Sequence, residues 1–312
     1  MKIAALFPGQ GAQYVGMGKQ LYETYSVVKD VFHEASDCLG MNVQDLCFNG
    51  SQELLKKTEI TQPVVLTVGV AAAKVLQSEY GIDFTYGAGH SLGEYTALTA
   101  ANAIKFQDAV KLVHLRGKYM QEAVAEGTGA MSVVNGLSVE EIEEVCEDLQ
   151  YQQLNVEISN YNSPYQTVIS GLEQAVSEAE KLLVKKQGKV IRLKVSAPFH
   201  SSLMEPAADK MKVAFDCIKI EKPKFMIVSN VTGVPYMNEN HIKDSLVAQM
   251  TRAVEWRKSM EFLYLNDVDL GIDMGPQRVV KGLLTRNYAG MKALSMEDDF
   301  EEIKIVNQHE RR

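Results

Sequence analysis

Apolar and polar residues along the first 125 positions follow the periods of strands and helices in turn. Residues 3–7 (IAALF) form a continuous apolar run that stops at Pro8, which predicts a buried strand. A second short strand is predicted to end at Gly87. Helical periodicity predicts helices over four stretches, roughly 16–38, 64–80, 92–104 and 106–125. Strands that alternate with helices indicate an α/β fold built on a parallel sheet.

The pattern changes after residue 127. A strand is predicted over 131–135, and Ser138 with Glu141 forms a capping box that opens a helix. Further elements follow in the order helix, two strands in hairpin spacing, helix and strand, over 139–149, 155–159, 166–170, 172–186 and 189–195. The order βαββαβ is that of a ferredoxin-like unit. We therefore predict a small inserted domain over 128–196, carried by a large domain made of 1–127 and 197–312.

Composition and charge exclude several classes of protein. No run of eighteen apolar residues occurs, so no membrane helix is expected. A net charge of −8 argues against general nucleic-acid binding. The four cysteines form no CxxC pair, which favours free thiols in a reducing cytoplasm. No HExxH motif or paired Cys/His spacing predicts a metal site, and GQGAQY lacks the third glycine of a dinucleotide-binding loop.

The sequence GHSLG places Ser91 between Gly89 and Gly93, directly after a predicted strand and before a predicted helix. This is the context of a nucleophile elbow, in which a sharp turn exposes a serine hydroxyl at a helix N-terminus. The motif itself is short and also occurs by chance. Ser91 is thus either a nucleophile or an ordinary loop serine on this evidence.

A nucleophilic serine needs a base, and His200 is the strongest of the six histidines because it follows the last strand of the insert. Hydrolases of this architecture usually place an acid between the serine and the histidine in chain order. No acid between Ser91 and His200 lies in an obvious strand-end loop. A backbone carbonyl could orient the imidazole instead, so a Ser–His dyad is expected.

Several further motifs, in order from residue 3 to about 286, resemble those of the malonyl-coenzyme A:acyl carrier protein transacylases. They are FPGQGAQYVGMG, TQPVVLTVGVA, GHSLGEYTAL, VHLRGKYMQEA, GAMSVV, NYNSPYQTVISG, PFHSSLM, SNVTG and DMGPQRVVKGLL. The resemblance covers nearly the whole chain. It implies an α/β-hydrolase-like large domain with a parallel sheet and an inserted ferredoxin-like small domain, in agreement with the periodicity.

The resemblance also implies roles for individual residues. Ser91 would carry the acyl group, His200 would be its base, and the Gln249 backbone carbonyl would orient the histidine. Arg116 would grip the free carboxylate of malonyl, although its own surroundings in the sequence favour an arginine on a helix surface. The remaining positions that match the family site are Gln10 and Leu92 for the oxyanion hole, Phe199 and Met120 for the acyl pocket, and Asn160 and Asn162 near it.

The function implied is the transfer of malonyl from malonyl-CoA to the phosphopantetheine thiol of an acyl carrier protein, through a malonyl-serine intermediate. Coenzyme A would be part of a substrate, and no separate cofactor is expected. Three alternatives remain open. They are a free-standing acyltransferase that loads polyketide synthase carrier domains, a hydrolase that proofreads acyl carrier proteins, and a carrier-binding module without catalytic activity.

Overall fold

The computed structural model describes residues 1–195, 197–288 and 290–306. Its strands are β1 Ile3–Phe7, β2 Tyr86–Gly89, β3 Gly129–Asn135, β4 Val156–Ser163, β5 Gln166–Leu172, β6 Lys189–Arg192, β7 Met226–Val228, β8 Leu270–Asp273 and β9 Lys292–Ser295. Its α-helices are α1 Lys19–Thr24, α2 Ser26–Leu39, α3 Val43–Asn49, α4 Gln52–Lys56, α5 Thr58–Tyr80, α6 Leu92–Ala100, α7 Phe106–Glu122, α8 Val139–Tyr151, α9 Glu173–Lys185, α10 Glu205–Ala214, α11 Asn240–Ala248, α12 Trp256–Leu265, α13 Val279–Asn287 and α14 Phe300–Lys304.

A five-stranded parallel sheet in the order β7-β2-β1-β8-β9 forms the centre of the large domain. Every residue of β1 is buried, as the apolar run predicts. Ala5 and Phe7 pack into the cluster that includes α5, while Ala4 and Leu6 pack into the cluster that includes α12. Helices therefore cover both faces of the sheet, and the carboxyl ends of its strands are left to build a site.

The four-stranded antiparallel sheet has the order β4-β5-β3-β6 and belongs to the predicted insert. Its chain order, βαββαβ, matches the ferredoxin-like prediction. The capping box of Ser138 and Glu141 opens α8. One face of the sheet packs on α8 and α9 in a cluster of its own. The exact domain boundaries at 128 and 196 stay a prediction, and residue 196 lies outside the described residues.

Several helix boundaries differ from the sequence prediction, and two of the differences have a local explanation. The helix expected over 16–38 is two helices, because Tyr25 adopts an extended backbone between α1 and α2. Helix α5 begins at Thr58, before Pro63, although proline lacks an N–H group and usually ends a helix. The carbonyl of Glu59, which the missing N–H would have reached, lies 2.9 Å from Nδ1 of His114. This side chain provides the partner that the helix itself lacks.

Among the described residues, α5 alone is long and apolar enough to cross a membrane. Of its most apolar 18-residue window, 89% is buried inside the structure. It packs against α2, α6 and α7. Such burial is that of a core helix.

Candidate active site

The turn between β2 and α6 has the geometry of a nucleophile elbow. Ser91 lies between them with φ 53° and ψ −107°, a strained conformation for a residue with a side chain. A Cβ atom on Gly89 would lie 1.8 Å from the carbonyl carbon of Gly93, and one on Gly93 would lie 2.1 Å from the carbonyl oxygen of Phe7. Only glycine at both positions lets strand and helix approach this closely.

Asn230 holds this strained turn in place. Its Oδ1 accepts a hydrogen bond from the Ser91 N–H at 2.7 Å, and its Nδ2 donates to the Gly89 carbonyl at 2.6 Å. Asn230 is fully buried. Sequence pattern predicts no role for Asn230, although it belongs to the motif SNVTG. Its contacts are to backbone atoms about 140 residues away, so local pattern gives no sign of them.

His200 contacts the Ser91 hydroxyl directly, with 2.7 Å between Nε2 and Oγ. Its Nδ1 lies 2.7 Å from the backbone carbonyl of Gln249, the residue that follows helix α11. The carbonyl can only accept, so Nδ1 carries the proton and Nε2 is free to take the proton of Ser91. A helix C-terminus also has a partial negative charge, which supports the imidazolium that forms in the reaction.

The surroundings of His200 keep the imidazole neutral at rest. Burial first and the nearby Arg116 charge second lower the pKa of His200 to about 3, although the hydrogen bond to the Gln249 carbonyl opposes the shift. Burial also lowers the pKa of His90, whose Nε2 lies 2.9 Å from Oδ1 of Asn162. Both rings are therefore neutral near pH 7.

Arg116 is a buried residue of α7, only 1% exposed, and so is not the surface arginine that its sequence surroundings also allowed. Its Nη2 donates to Oγ of Ser91 at 3.1 Å and to Oε1 of Gln249 at 2.8 Å, and its Nη1 donates to Oε1 of Gln62 at 2.8 Å. Its Nε is buried without a partner among the described residues. A guanidinium has five N–H donors, so this cation retains donors for an anion beside Ser91.

Two backbone N–H groups flank the serine. Within the described residues, no hydrogen bond uses the N–H of Gln10 or of Leu92. Leu92 is the first residue of α6, where N–H groups have no intrahelical acceptor. Gly9 brings the loop of Gln10 against the elbow, since a Cβ atom there would lie 2.6 Å from the His90 carbonyl oxygen. In the described part of the chain, both N–H groups are thus free donors near the elbow, and their role in an oxyanion hole stays a prediction.

A cavity of about 440 Å³ opens over Ser91 and lies between the two sheets. Phe199, Asn160 and Asn162 line it, together with His200 and Gln10. Apolar side chains of the antiparallel sheet form one wall, namely Met131, Val133 and Val168. The strand β4 reaches the large domain beside this wall, where the Tyr161 N–H donates to the Val254 carbonyl at 2.9 Å.

Four predicted site residues lie outside the residues that line this cavity, namely Met120, Arg116, Leu92 and Gln249. Met120 lies one turn after Arg116 on α7 and is 2% exposed. Its sulfur accepts a weak hydrogen bond from Nε2 of Gln62 at 3.6 Å. Met120 and Arg116 therefore both contact Gln62, and the place of Met120 in the acyl pocket stays a prediction. The described residues contain no group of three or more His, Cys, Asp or Glu side chains that could hold a metal ion.

Comparison with known proteins places this geometry in a family. The model of the acyl transferase domain matches residues 5–294. The malonyl CoA-acyl carrier protein transacylase of Escherichia coli K12 is 42% identical over 286 residues, which are 91% of this chain and 92% of that protein. The chain belongs to the malonyl CoA-acyl carrier protein transacylase family.

Solved structures of transacylases share the whole fold. The crystal structure of the malonyl CoA-acyl carrier protein transacylase from Clostridium perfringens matches with a TM-score of 0.95 and 37% identity over 100% of both chains. A malonyl-transacylase solved in complex with its type II PKS acyl-carrier protein matches with a TM-score of 0.95 and 40% identity, over 99% of this chain and 100% of that one. The transacylase fold predicted from the sequence is thereby confirmed.

Proposed function

We propose that this enzyme transfers the malonyl group of malonyl-CoA to the phosphopantetheine thiol of an acyl carrier protein, by way of a malonyl ester on Ser91. One observation carries the proposal. The Ser91 hydroxyl lies between a neutral histidine nitrogen at 2.7 Å and a buried guanidinium at 3.1 Å. The first contact suits a nucleophile, and the second suits an acyl group that ends in a carboxylate.

In the first half-reaction, His200 Nε2 takes the proton of Ser91 as Oγ attacks the thioester carbonyl. The oxyanion of the tetrahedral intermediate accepts hydrogen bonds from the N–H groups of Gln10 and Leu92. The carbon–sulfur bond then breaks, and the imidazolium returns its proton to the departing coenzyme A sulfur. The second half-reaction repeats these steps with the carrier thiol as nucleophile, and Ser91 leaves with the proton held by His200.

Arg116 accounts for the choice of acyl group. Charged hydrogen bonds contribute about 1.5–3 kcal/mol each, and a guanidinium can make two parallel ones to a carboxylate. An acyl group without a carboxylate would leave this buried cation with unused donors. Arg116 also holds the malonyl ester away from water in a pocket that Phe199 narrows. A hydrolase of neutral acyl chains has no use for such a cation, which makes the proofreading alternative less suitable.

The test is the acyl-enzyme itself. Purified protein is mixed with malonyl-CoA, and the intact mass is followed before and after a carrier protein bearing phosphopantetheine is added. We expect a malonyl adduct on Ser91 that moves to the carrier, and no adduct on Ser91→Ala. An adduct that persists on Ser91→Ala would refute the assignment of the nucleophile. Release of free malonate at a rate equal to transfer would favour a hydrolase.

The same assay identifies which kind of carrier protein receives malonyl. Equal amounts of a carrier from fatty-acid synthesis and a carrier from polyketide synthesis are supplied, and the transfer rates are compared. We also propose that the enzyme is cytoplasmic and needs no metal or cofactor of its own. Retained acyl transfer after dialysis against a chelator would support that part.

A further inference from the structure

Glu94 is a buried carboxylate that the proposed mechanism leaves without a role. It lies in the first turn of α6, three residues after Ser91, and is 0% exposed. No cation forms a salt bridge with it among the described residues. A charge or carboxyl in such a place costs stability unless hydrogen bonds satisfy it, so its presence calls for a specific function.

Three donors converge on the two oxygens of Glu94. Oε1 accepts from the Tyr236 hydroxyl at 2.5 Å and from the Asn230 backbone N–H at 3.1 Å. Oε2 accepts from Nε2 of Gln249 at 2.6 Å. A carboxylate can satisfy all three donors because both of its oxygens accept.

The Gln249 side chain links Glu94 to Arg116. Its Nε2 donates to Glu94, and its Oε1 accepts from Nη2 of Arg116 at 2.8 Å. A guanidinium can only donate, and a carboxylate can only accept. The two charged groups together favour one orientation of the amide, with oxygen toward the arginine and nitrogen toward the glutamate, and a bond from Nε2 to the Ser91 carbonyl at 3.0 Å supports it. The same Nη2 that the amide oxygen holds is the one that reaches Oγ of Ser91 at 3.1 Å.

We propose that Glu94 is a positioning residue that orients the Gln249 side-chain amide and thereby aims the Arg116 guanidinium at the acyl carboxylate beside Ser91. Glu94 is thus a determinant of the preference for malonyl over uncharged acyl groups. The proposal rests on the proposed function, since it requires that the acyl group carries a carboxylate. It concerns the side chain of Gln249 and leaves the backbone carbonyl free to orient His200.

Substitution of Glu94 by glutamine isolates this effect with little change of shape. Two of the three donors, the Tyr236 hydroxyl and the fixed Asn230 N–H, lie on one side of residue 94 and hold the new amide oxygen there. The new NH₂ group then faces the NH₂ group of Gln249. Two donors cannot bond to each other, so the Gln249 amide moves away from residue 94, and its oxygen shifts away from Arg116. Arg116 loses the acceptor that fixes its direction.

The experiment measures the second-order rate constant for acylation of Ser91 by malonyl-CoA and by acetyl-CoA, from intact mass after rapid quenching. Acetyl lacks the carboxylate and reports on Ser91 and His200 alone. For Glu94→Gln we expect the malonyl-to-acetyl preference to fall at least tenfold, with the acetyl rate constant within threefold of wild type. Tyr236→Phe is the matched control. It removes one donor from Oε1 but keeps the bond to Gln249, so it should keep the wild-type preference.

A second variant keeps the inference testable if Glu94→Gln does not fold. Gln249→Met removes the amide while it keeps the backbone carbonyl that orients His200, and it should lower the preference by a similar factor. The double variant Glu94→Gln with Gln249→Met should be no less selective than Gln249→Met alone, because both changes break the same contact between Glu94, Gln249 and Arg116. An unchanged preference in Gln249→Met would overturn the inference.

The outcomes also separate this inference from the proposed function. A wild-type enzyme that forms no malonyl adduct, or that accepts acetyl equally well, contradicts the proposed function. A selective wild type combined with an unchanged preference in a folded Glu94→Gln contradicts the role of Glu94 alone. If the rate constants for malonyl-CoA and acetyl-CoA fall equally in Glu94→Gln, Glu94 only maintains the fold. That result would likewise overturn the inference.

Discussion

Acylation of Ser91 should remain fast at a pH at which most histidine bases are already protonated. The pKa of His200 is lowered from 6.5 to about 3, chiefly by burial and next by the charge of Arg116. The rate constant for acylation by a donor at low concentration reports the ionisation of the free enzyme. Lowering the pH from 8 to 5 therefore tests whether the His200 imidazole is as buried from solvent as the structure shows.

The size of the effect follows from the two pKa values. At pH 5, a base with a pKa of about 3 is about 99% neutral, whereas a base with a pKa of 6.5 is only about 3% neutral. The two cases differ about 30-fold in the fraction of active enzyme. The rate constant for acylation is expected to stay constant from pH 8 to pH 5, apart from changes in the ionisation of the acyl-CoA donor.

The assay is rapid-quench mass spectrometry of the acyl-enzyme under single-turnover conditions, with malonyl-CoA and acetyl-CoA measured side by side. Acetyl-CoA is the control for ionisation of the malonyl carboxylate, and circular dichroism at each pH verifies that the protein stays folded. Arg116→Met adds a second arm. Without the nearby cation the pKa of His200 should rise, so any loss of acetyl transfer at low pH should begin at a higher pH than in wild type.

A tenfold fall in the acetyl rate constant for each pH unit below about 6.5, in protein that remains folded, would refute this reasoning. It would mean that water reaches the ring in solution and that burial does not set its ionisation. The stability of the fold should depend on pH in the matching direction. A histidine with a depressed pKa contributes stability above pH 6.5, and that contribution is lost as the pH falls toward 3.

Three further predictions follow from the same site. Arg116→Met should lower acylation by malonyl-CoA about 100-fold relative to acetyl-CoA, as expected for the loss of about 3 kcal/mol of charged hydrogen bonding, and a constant ratio of the two rates would contradict the clamp. Gly93→Ala should lower the stability measured by urea unfolding and abolish acylation, because the new Cβ would lie 2.1 Å from the Phe7 carbonyl oxygen. The control Gly282→Ala, in helix α13, should fold normally. Burial raises the pKa of Glu94 from 4.5 to about 7 against the effect of its three hydrogen bonds, so ionising this carboxyl costs stability as the pH rises from 4.5 to 7, and the acceptor-only form that orients Gln249 prevails above that range. The stability of wild type relative to Glu94→Gln should fall by about 3 kcal/mol between pH 4.5 and 8, and a difference independent of pH would contradict it.

The sequence predicts those parts of the site that depend on neighbouring residues. The elbow around Ser91 is local, because two glycines and the strand–helix change are enough to specify it. The order βαββαβ of the small domain follows from periodicity and from the Ser138–Glu141 capping box, which the structure contains. His200 stands out by its place after a strand of the insert, and it lies 2.7 Å from the serine.

Burial and long-range polar contacts are the parts that sequence pattern cannot supply. The surroundings of Arg116 in the sequence also suit a helix surface, and only the fold buries it. Glu94 and Asn230 escape prediction because their contacts with each other and with the elbow join residues more than 130 positions apart. A signal for Glu94 does exist, since it is the sole charge in the otherwise uncharged helix LGEYTALTA. Met120 is assigned to the acyl pocket by resemblance alone, and that assignment stays a prediction.

Different parts of the fold supply the reactive atoms and the apolar lining of the cavity, and this separation matters for redesign. Its reactive atoms belong to loops at the edge of the parallel sheet, whereas much of its apolar lining comes from Met131, Val133 and Val168 of the other sheet. Changing the volume of those three side chains would alter which extender units fit while the nucleophile, its base and their supports stay untouched. Libraries for accepting bulkier or branched building blocks can therefore be confined to two short strands of the inserted module.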